Sequence, residues 1–579
     1  MGGYIMRLNS KENWNEGLEN DGLLYLPQRI EEMLCHYTNH LYKVPLLNTH
    51  LLVEEYLRTS KLVAGGVIHE EHLKYIMEEF QDTFVRDIVI KNTLGEKKTK
   101  EFLQKINEAS QVEQKRLMHY LYHVLRNYDD WCREYLRNIV KDGRQKKKIE
   151  LTLRLYLSGL IGRGYSQEYI YYFSKKVFFE QEVNSLGVVD SFLNRFDFKQ
   201  RKYVVYMALK KGIENFRDIL EKRIGINFEL EEDEKNLKCD RQQYKVVCIE
   251  INALDEKKAA EQAFNKIDLF FRYYKFMGDR KDDLLYNKGM VKDEEGNYAF
   301  VNLQPIGYNC EVYRNEKELA KFSELIITAL IKTAKCSFSQ IDKCIKLHNL
   351  ALASSDLKNG FLNFWSILEI VCVRQQNESK IKEVEKAILP ILEVDYIHTV
   401  FEEIDKYLKE CLSDKDYNEF IGKLGGENGG LRIAKLILLD EQEGLRKSIC
   451  AKLTNYPVVR SRINQLNEKY GTKKEMLEDI ERFSQRIKWH LRRLYRTRNA
   501  IIHSGEEPEN LKLLGEHLHS YVDELLLQVA IDLSINRGLC TIDNVLIDIS
   551  FSLENIIMML KTKEKFNEED VKCLFSKWC

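Results

Sequence analysis

Six prolines in 579 residues constrain the fold of this chain more than any other feature. Proline lacks a backbone donor and clashes with the preceding turn, so it ends or kinks helices. With so few, and with Leu, Lys and Glu dominating, long stretches can stay helical. The chain is 44% hydrophobic and 31% charged, the balance of a globular protein and not of a disordered one. Its length exceeds what a single core normally serves. The chain therefore reads as mainly α in several domains. These are an N-terminal helical block over 1–220, a small α/β region over 221–318, a helical bundle over 319–540 and a helical extension over 541–579.

The α/β region is marked by a change of period. Ile226 to Leu230 alternates, and Tyr244 to Ile251 is the clearest strand in the chain. An amphipathic helix follows at about 255–277. Asn297 to Leu303 and Glu311-Val312-Tyr313 are expected to complete a small sheet that bridges the helical blocks. The strand–helix turn has no glycine fingerprint, so no nucleotide site is expected there, and no cofactor is expected anywhere. Gly425 to Gly430 reads as a flexible loop without the Lys-Ser/Thr of a phosphate loop. Lys146-Lys147-Lys148 reads as a basic loop.

One helix is unusually basic. From Glu478 to Ile502 the apolar residues Ile480, Phe483, Ile487, Leu491, Leu494 and Ile501 recur at helical spacing. Among them stand Arg482, Arg486, Lys488, Arg492, Arg493, Arg496 and Arg498. The whole chain carries a net charge of −1, so this is a local concentration within a chain that is not uniformly basic. Arg486, Lys488, Arg492 and Arg493 are candidate contacts for an RNA backbone; a solvated face is the plainer meaning of such a run. Trp489, His490 and Tyr495 lie among the cations and are candidates for stacking on unpaired bases.

The helix ends in Arg498-Asn499-Ala500-Ile501-Ile502-His503, with Ser504-Gly505 as a stop signal. Arg498 falls four residues after Leu494 and so points toward the packed side. Arginine holds phosphate oxygens with a fixed fork of donors. Histidine is suited to moving protons near neutral pH. Together they can cleave RNA without a metal if both reach one phosphodiester. The plain alternative is a surface Arg in a salt bridge and a His at a helix C-terminus. There is also a geometric difficulty, because positions five apart on a straight helix point about 140° from each other. Either the last turn unwinds near Ser504-Gly505 and swings His503 back, or a second subunit completes the site across a twofold axis.

The string R-N-x-x-x-H resembles the RNase motif of HEPN domains. Upstream, Phe361 to Glu369 resembles the W-x-x-L-E helix near the start of Apea-like HEPN domains, with Phe361, Trp365 and Leu368 on one stripe. Downstream, a helix opened by Pro508 carries Leu511, Leu514, Leu518, Tyr521, Leu525 and Val529, and Gly538 is expected to end it. The resemblance covers roughly residues 320–537, with an unmatched insertion at about 378–470. It implies a HEPN-type bundle and a metal-independent endoribonuclease of anti-phage defence or growth arrest. His503 would be the general base toward the ribose 2′-OH and Arg498 would stabilise the phosphorane. Asn499 would orient the phosphate or His503, with Glu369 and Arg496 in support. The resemblance further implies a homodimer and an RNA substrate, transfer RNA being one that such toxins cut. A non-catalytic HEPN scaffold and an RNA-binding regulator are the rivals. The N-terminal block would act as a sensor for a phage-derived or cellular trigger.

No metal is expected. His36/His40 and His119/His123 have i,i+4 spacing but lack an H-E-x-x-H pattern, and His517 and His519, two apart, cannot share a helix face. The first residues have no apolar signal core, and there is no run of 18 apolar residues. Thirteen cysteines without a C-x-x-C motif read as reduced thiols. A cytoplasmic protein without a membrane contact is the expectation.

Overall fold

A computed structural model of the chain describes residues 8–576, apart from 12, 16–20, 36–46, 229–236, 279–283, 304–307, 309–319, scattered positions between 321 and 334, and 355, 375–378, 426–427, 509 and 536–540. The protein is mainly helical, with one small antiparallel sheet. Helices begin where side chains can cap them. Ser110 with Glu113, Thr472 with Glu475, Thr541 with Asn544 and Asn567 with Asp570 form reciprocal capping boxes. Each box meets donors that a first turn leaves unpaired. The few prolines interrupt less than their chemistry suggests. Helix Lys380–Cys411 runs through Pro390, carried by apolar residues buried along its whole length, Ile381, Ile388, Leu392, Phe401 and Tyr407 among them.

The two helical halves are not separate domains. Apolar side chains from Leu8 to Phe196 and from Tyr308 to Leu574 form one continuous core. A buried polar network also crosses between the halves. Arg29, fully buried on helix Asp21–Leu34, bonds Glu32 at 2.7 Å and Glu150 at 2.6 Å. Glu32 in turn accepts from Tyr407 at 3.0 Å and from Arg462 at 3.0 Å. Charges this deep are tolerable only when each is paired. The segment 378–470, unmatched as an insertion, belongs to this core too. Its helix Lys380–Cys411 packs along helix Lys473–Ser504.

The sheet has its own core. Strands β1 (Arg201–Lys210), β2 (Ile226–Asn227), β3 (Tyr244–Ala253), β4 (Lys288–Lys292) and β5 (Tyr298–Asn302) lie in the order β2-β3-β1-β4-β5. Val205 stands opposite Ile249, so Tyr203, Val205 and Met207 share a face with Val247, Ile249 and Ile251, as a period of two requires. That face packs on helix Glu256–Gly278 through Ala259, Ala263, Phe264 and Ile267. Asp255 joins sheet and helical block: its carboxylate accepts from the Lys258 and Ser166 backbones at 2.8 and 2.7 Å, and burial pushes its pKa up to about 6.

Several expectations need correction. β1 lies within 1–220, so the α/β region starts near residue 201 and not 221; the pairing with β3 draws in a stretch read as helix. Lys146–Lys148 open helix Lys146–Gly162, with Lys146 paired to Asp21 at 3.0 Å. Gly429 and Gly430 open helix Gly429–Leu438, capped by Asn428 at 2.8 Å. Gly426, Glu427, Glu311-Val312-Tyr313, Gly538, His36 and His40 lie outside the described residues. Among the described cysteines eight are free thiols, whereas Cys573 is disulfide-bonded. Among the described residues no helix is long and apolar enough to cross a membrane.

Candidate functional site

The motif helix, Lys473–Ser504, starts at the Thr472 capping box and ends at Gly505, whose φ of 67° supplies the left-handed cap. Met476, Ile480, Phe483, Ile487, Leu491 and Leu494 form its buried stripe. The last turn stays intact: the Gly505 N–H donates to the Ile501 carbonyl at 3.1 Å. The helix therefore does not unwind before His503. Arg498 is partly buried, while Ile502 and His503 are exposed. One chain thus leaves the two motif side chains about 140° apart around the helix.

Arg498 is held by a defined set of neighbours. Its Nη2 lies 3.7 Å from Glu369 Oε1, and its Nη1 donates to Asn499 Oδ1 at 3.2 Å. Glu369 comes from helix Leu357–Cys372, which packs on the motif helix. Its Oε1 accepts from Trp365 Nε1 at 3.0 Å, and its Oε2 lies 3.5 Å from Lys380 Nζ. Trp365 is buried and packs at 5.5 Å on Tyr495 of the motif helix. The same two helices meet again at their ends, where Lys358 Nζ donates to the Gly505 carbonyl at 3.3 Å. A lysine there offsets the negative end of the helix dipole.

The remaining arginines divide into two groups. Arg492, Arg493 and Arg496 are given to carboxylates. Arg493 pairs with Glu55 at 2.9 Å and with Glu79 at 2.5 Å. Arg496 pairs with Glu55 at 2.8 Å. Arg492 pairs with Glu385 at 2.7 Å and lies 3.9 Å over the Tyr75 ring. Glu55 and Glu79 come from helices Thr49–Ala64 and Glu71–Arg86 of the N-terminal block. Burial would raise Glu55, but Arg493 and Arg496 hold it down at about 2. Burial raises Glu79, which shares Arg493 with it. Burial and the Arg496 charge lower His72 to about 4.

Arg482 and Arg486 form the second group. They line a cavity of about 370 Å³ between the N-terminal block and the motif helix, together with Arg154, His490 and His517. Lys488 lies near Glu393. Of the four proposed backbone contacts, Arg492 and Arg493 face protein carboxylates in this conformation, while Arg486 faces open space. The interleaved aromatics also face inward. Trp489 is buried, Tyr495 packs on Trp365, and His490 Nδ1 lies 2.8 Å from the Tyr521 hydroxyl. Tyr495 is committed to Trp365, while Trp489 and His490 border the same cavity as Arg482 and Arg486.

One cluster escaped the sequence reading. His519 Nε2 lies 2.6 Å from His348 Nε2 and 3.2 Å from Asp523 Oδ1, and His348 Nε2 lies 2.9 Å from the same oxygen. His517 and His519 indeed occupy different faces, but His519 finds its partners elsewhere. Asp523 sits one turn along the same helix, Leu511–Ile535, and His348 comes from helix Lys335–Ala353. The i,i+4 pair was a readable signal; the third member, 171 residues away, was not. The carboxylates that grip Arg493 carried no signal either. Compared with known proteins, the chain matches no family model, no curated protein and no solved structure.

Proposed function

We propose that the chain is a metal-independent endoribonuclease of the HEPN type, acting as a homodimer in anti-phage defence or growth arrest. The observation that carries this reading is the support built around Arg498. Its guanidinium is braced by Glu369, and Glu369 is braced by Trp365 and Lys380. A cation placed in advance, near an exposed histidine on the same helix end, suits a reaction that develops charge on a phosphate.

In the proposed reaction His503 takes the proton of a ribose 2′-OH. The 2′ oxygen attacks phosphorus, Arg498 stabilises the phosphorane with Asn499 orienting it, and the 5′ oxygen leaves with a proton from water. The products are a 2′,3′-cyclic phosphate and a 5′-hydroxyl. Because the helix stays straight through Ser504, His503 of one protomer works with Arg498 of the other. The exposed Ile502 beside His503 supplies apolar surface for such a contact. The N-terminal block acts as the control element. Through Glu55 and Glu79 it holds Arg493 and Arg496, and a phage-derived or cellular trigger that draws the block away releases those cations toward RNA.

The test is incubation of purified full-length protein with total RNA in EDTA, followed by mapping of fragment ends. Cyclic-phosphate ends that disappear in Arg498→Ala and His503→Ala are expected. Intact RNA from a folded dimer both with and without EDTA, with Glu55→Gln equally inactive, overturns the reading. A non-catalytic HEPN scaffold is favoured by one observation: Arg498 already has a carboxylate partner, as a structural ion pair would. That reading expects no fragments under any condition.

A further inference from the structure

We infer that His348, His519 and Asp523 form a zinc site that clamps helix Lys335–Ala353 to helix Leu511–Ile535, with one coordination position left to water. The inference does not depend on the ribonuclease reading. It rests first on convergence. Two imidazole nitrogens and one carboxylate oxygen face each other at 2.6, 2.9 and 3.2 Å. One ion can stand roughly 2.0–2.1 Å from each, the usual Zn–N and Zn–O distance, about 1 Å above their plane, with the two rings moving slightly apart to open the angle between them.

The second support is that protons alone do not satisfy this triangle. Two Nε2 atoms at 2.6 Å cannot both carry hydrogen toward each other: either both N–H groups turn to Asp523 and are pressed together side by side, or one presents a lone pair. The Asp523 oxygen, itself an acceptor, is within 3.2 Å of both. If His348 Nε2 donates, its single hydrogen serves either His519 or Asp523, and two electron-rich atoms still confront each other. If His519 Nε2 donates, the same conflict is left on His348. A cation accepts all three lone pairs at once.

The third support is the setting. His519 is buried, while the His348 and Asp523 side chains are 20% and 31% exposed, so an ion and a water can reach the site from one side. Two imidazoles and a carboxylate suit Zn²⁺ among the available divalent ions, and three protein ligands plus water is its usual open arrangement. Phe364 stacks on the His519 ring with centroids 4.5 Å apart. Phe364 directly precedes Trp365, so the clamp would also fix the helix that presents Glu369 to Arg498.

Full-length protein purified without chelator is expected to carry one zinc per chain by mass spectrometry of the metal. After removal and titration in competition with a chromophoric chelator, wild type and His517→Ala should take zinc back. His348→Ala and Asp523→Asn should lose affinity by more than the 10–100-fold typical of outer-shell groups. Added zinc should raise the thermal midpoint of wild type and not of these two variants. Should either variant fail to fold, wild type loaded with Co²⁺ decides alone: the intense visible bands of a low-coordinate nitrogen–oxygen site are expected, and the weak spectrum of the aqua ion overturns the inference. Zinc bound equally by wild type, His348→Ala and Asp523→Asn overturns it as well, as does wild type that retains only iron or nickel.

Discussion

Replacing Glu55 with Gln removes the charge that ties the N-terminal block to the motif helix while keeping nearly the same shape. Glu55 faces two guanidiniums, Arg493 and Arg496, within 3.2 Å. Holding its carboxyl at about 2 instead of 4.5 corresponds to roughly 3 kcal/mol at neutral pH, at about 1.4 kcal/mol per tenfold change in proton affinity. That matches the 3–5 kcal/mol typical of breaking a buried pair from one side. The group is buried, so solvent screening takes little away. Native-state hydrogen exchange of helices Thr49–Ala64 and Lys473–Ser504 is the assay, because it reads local opening in a chain too large for two-state unfolding. A loss of this size should speed exchange there about 100-fold. The sign with pH also follows. The folded pKa lies below the unfolded one, so the wild-type advantage is full above pH 4.5 and fades as pH falls toward 2, where Glu55 becomes as neutral as Gln. Protection unchanged within a factor of about three at pH 7 would refute the assignment of Glu55 as the tie.

Other outcomes follow from the site and the core. His503→Ala should lower RNA cleavage by about 10²–10⁴ and Arg498→Ala by about 10²–10³, with circular dichroism unchanged. Co-expressing those two inactive chains should restore cleavage, because a heterodimer with sites shared between protomers keeps one intact Arg498/His503 pair; no restoration would place the pair within one protomer. Trp365→Phe keeps the ring packing but removes a hydrogen bond to a charged group, a loss of about 1.5–3 kcal/mol, and should depress kcat more than RNA binding. Gly515→Ala should destabilise the bundle by about 1–3 kcal/mol, since a Cβ there would overlap the Tyr308 ring; equal melting temperatures for variant and wild type would contradict that packing.

The legible parts of the chain were those governed by local physics. The motif helix was marked by its 3.6-residue stripe and its glycine stop, and β3 with the helix after it was marked by the change of period. Arg498 was placed toward the packed side because it follows Leu494 by one turn, and Phe361, Trp365 and Leu368 were placed on one stripe because they follow one another by about one turn. Both statements concern positions on a single helix, where backbone geometry sets direction. β1 was missed because its burial depends on a partner strand more than thirty residues later.

What the amino-acid order determined by itself is the mainly helical class, the buried stripe of the motif helix and the concentration of cations on it. Only the tertiary structure decided what those cations meet. Arg486 and Arg493 stand two turns apart on one helix, look alike in sequence and border the same cavity, yet Arg486 is exposed while Arg493 is buried and gripped by Glu55 and Glu79. The same holds for His519, whose neighbours come from one turn away and from 171 residues away. Periodicity dictates which side of a helix is covered, because that depends on the angle between successive residues. It carries no information about which distant side chain does the covering, because that depends on how whole elements pack.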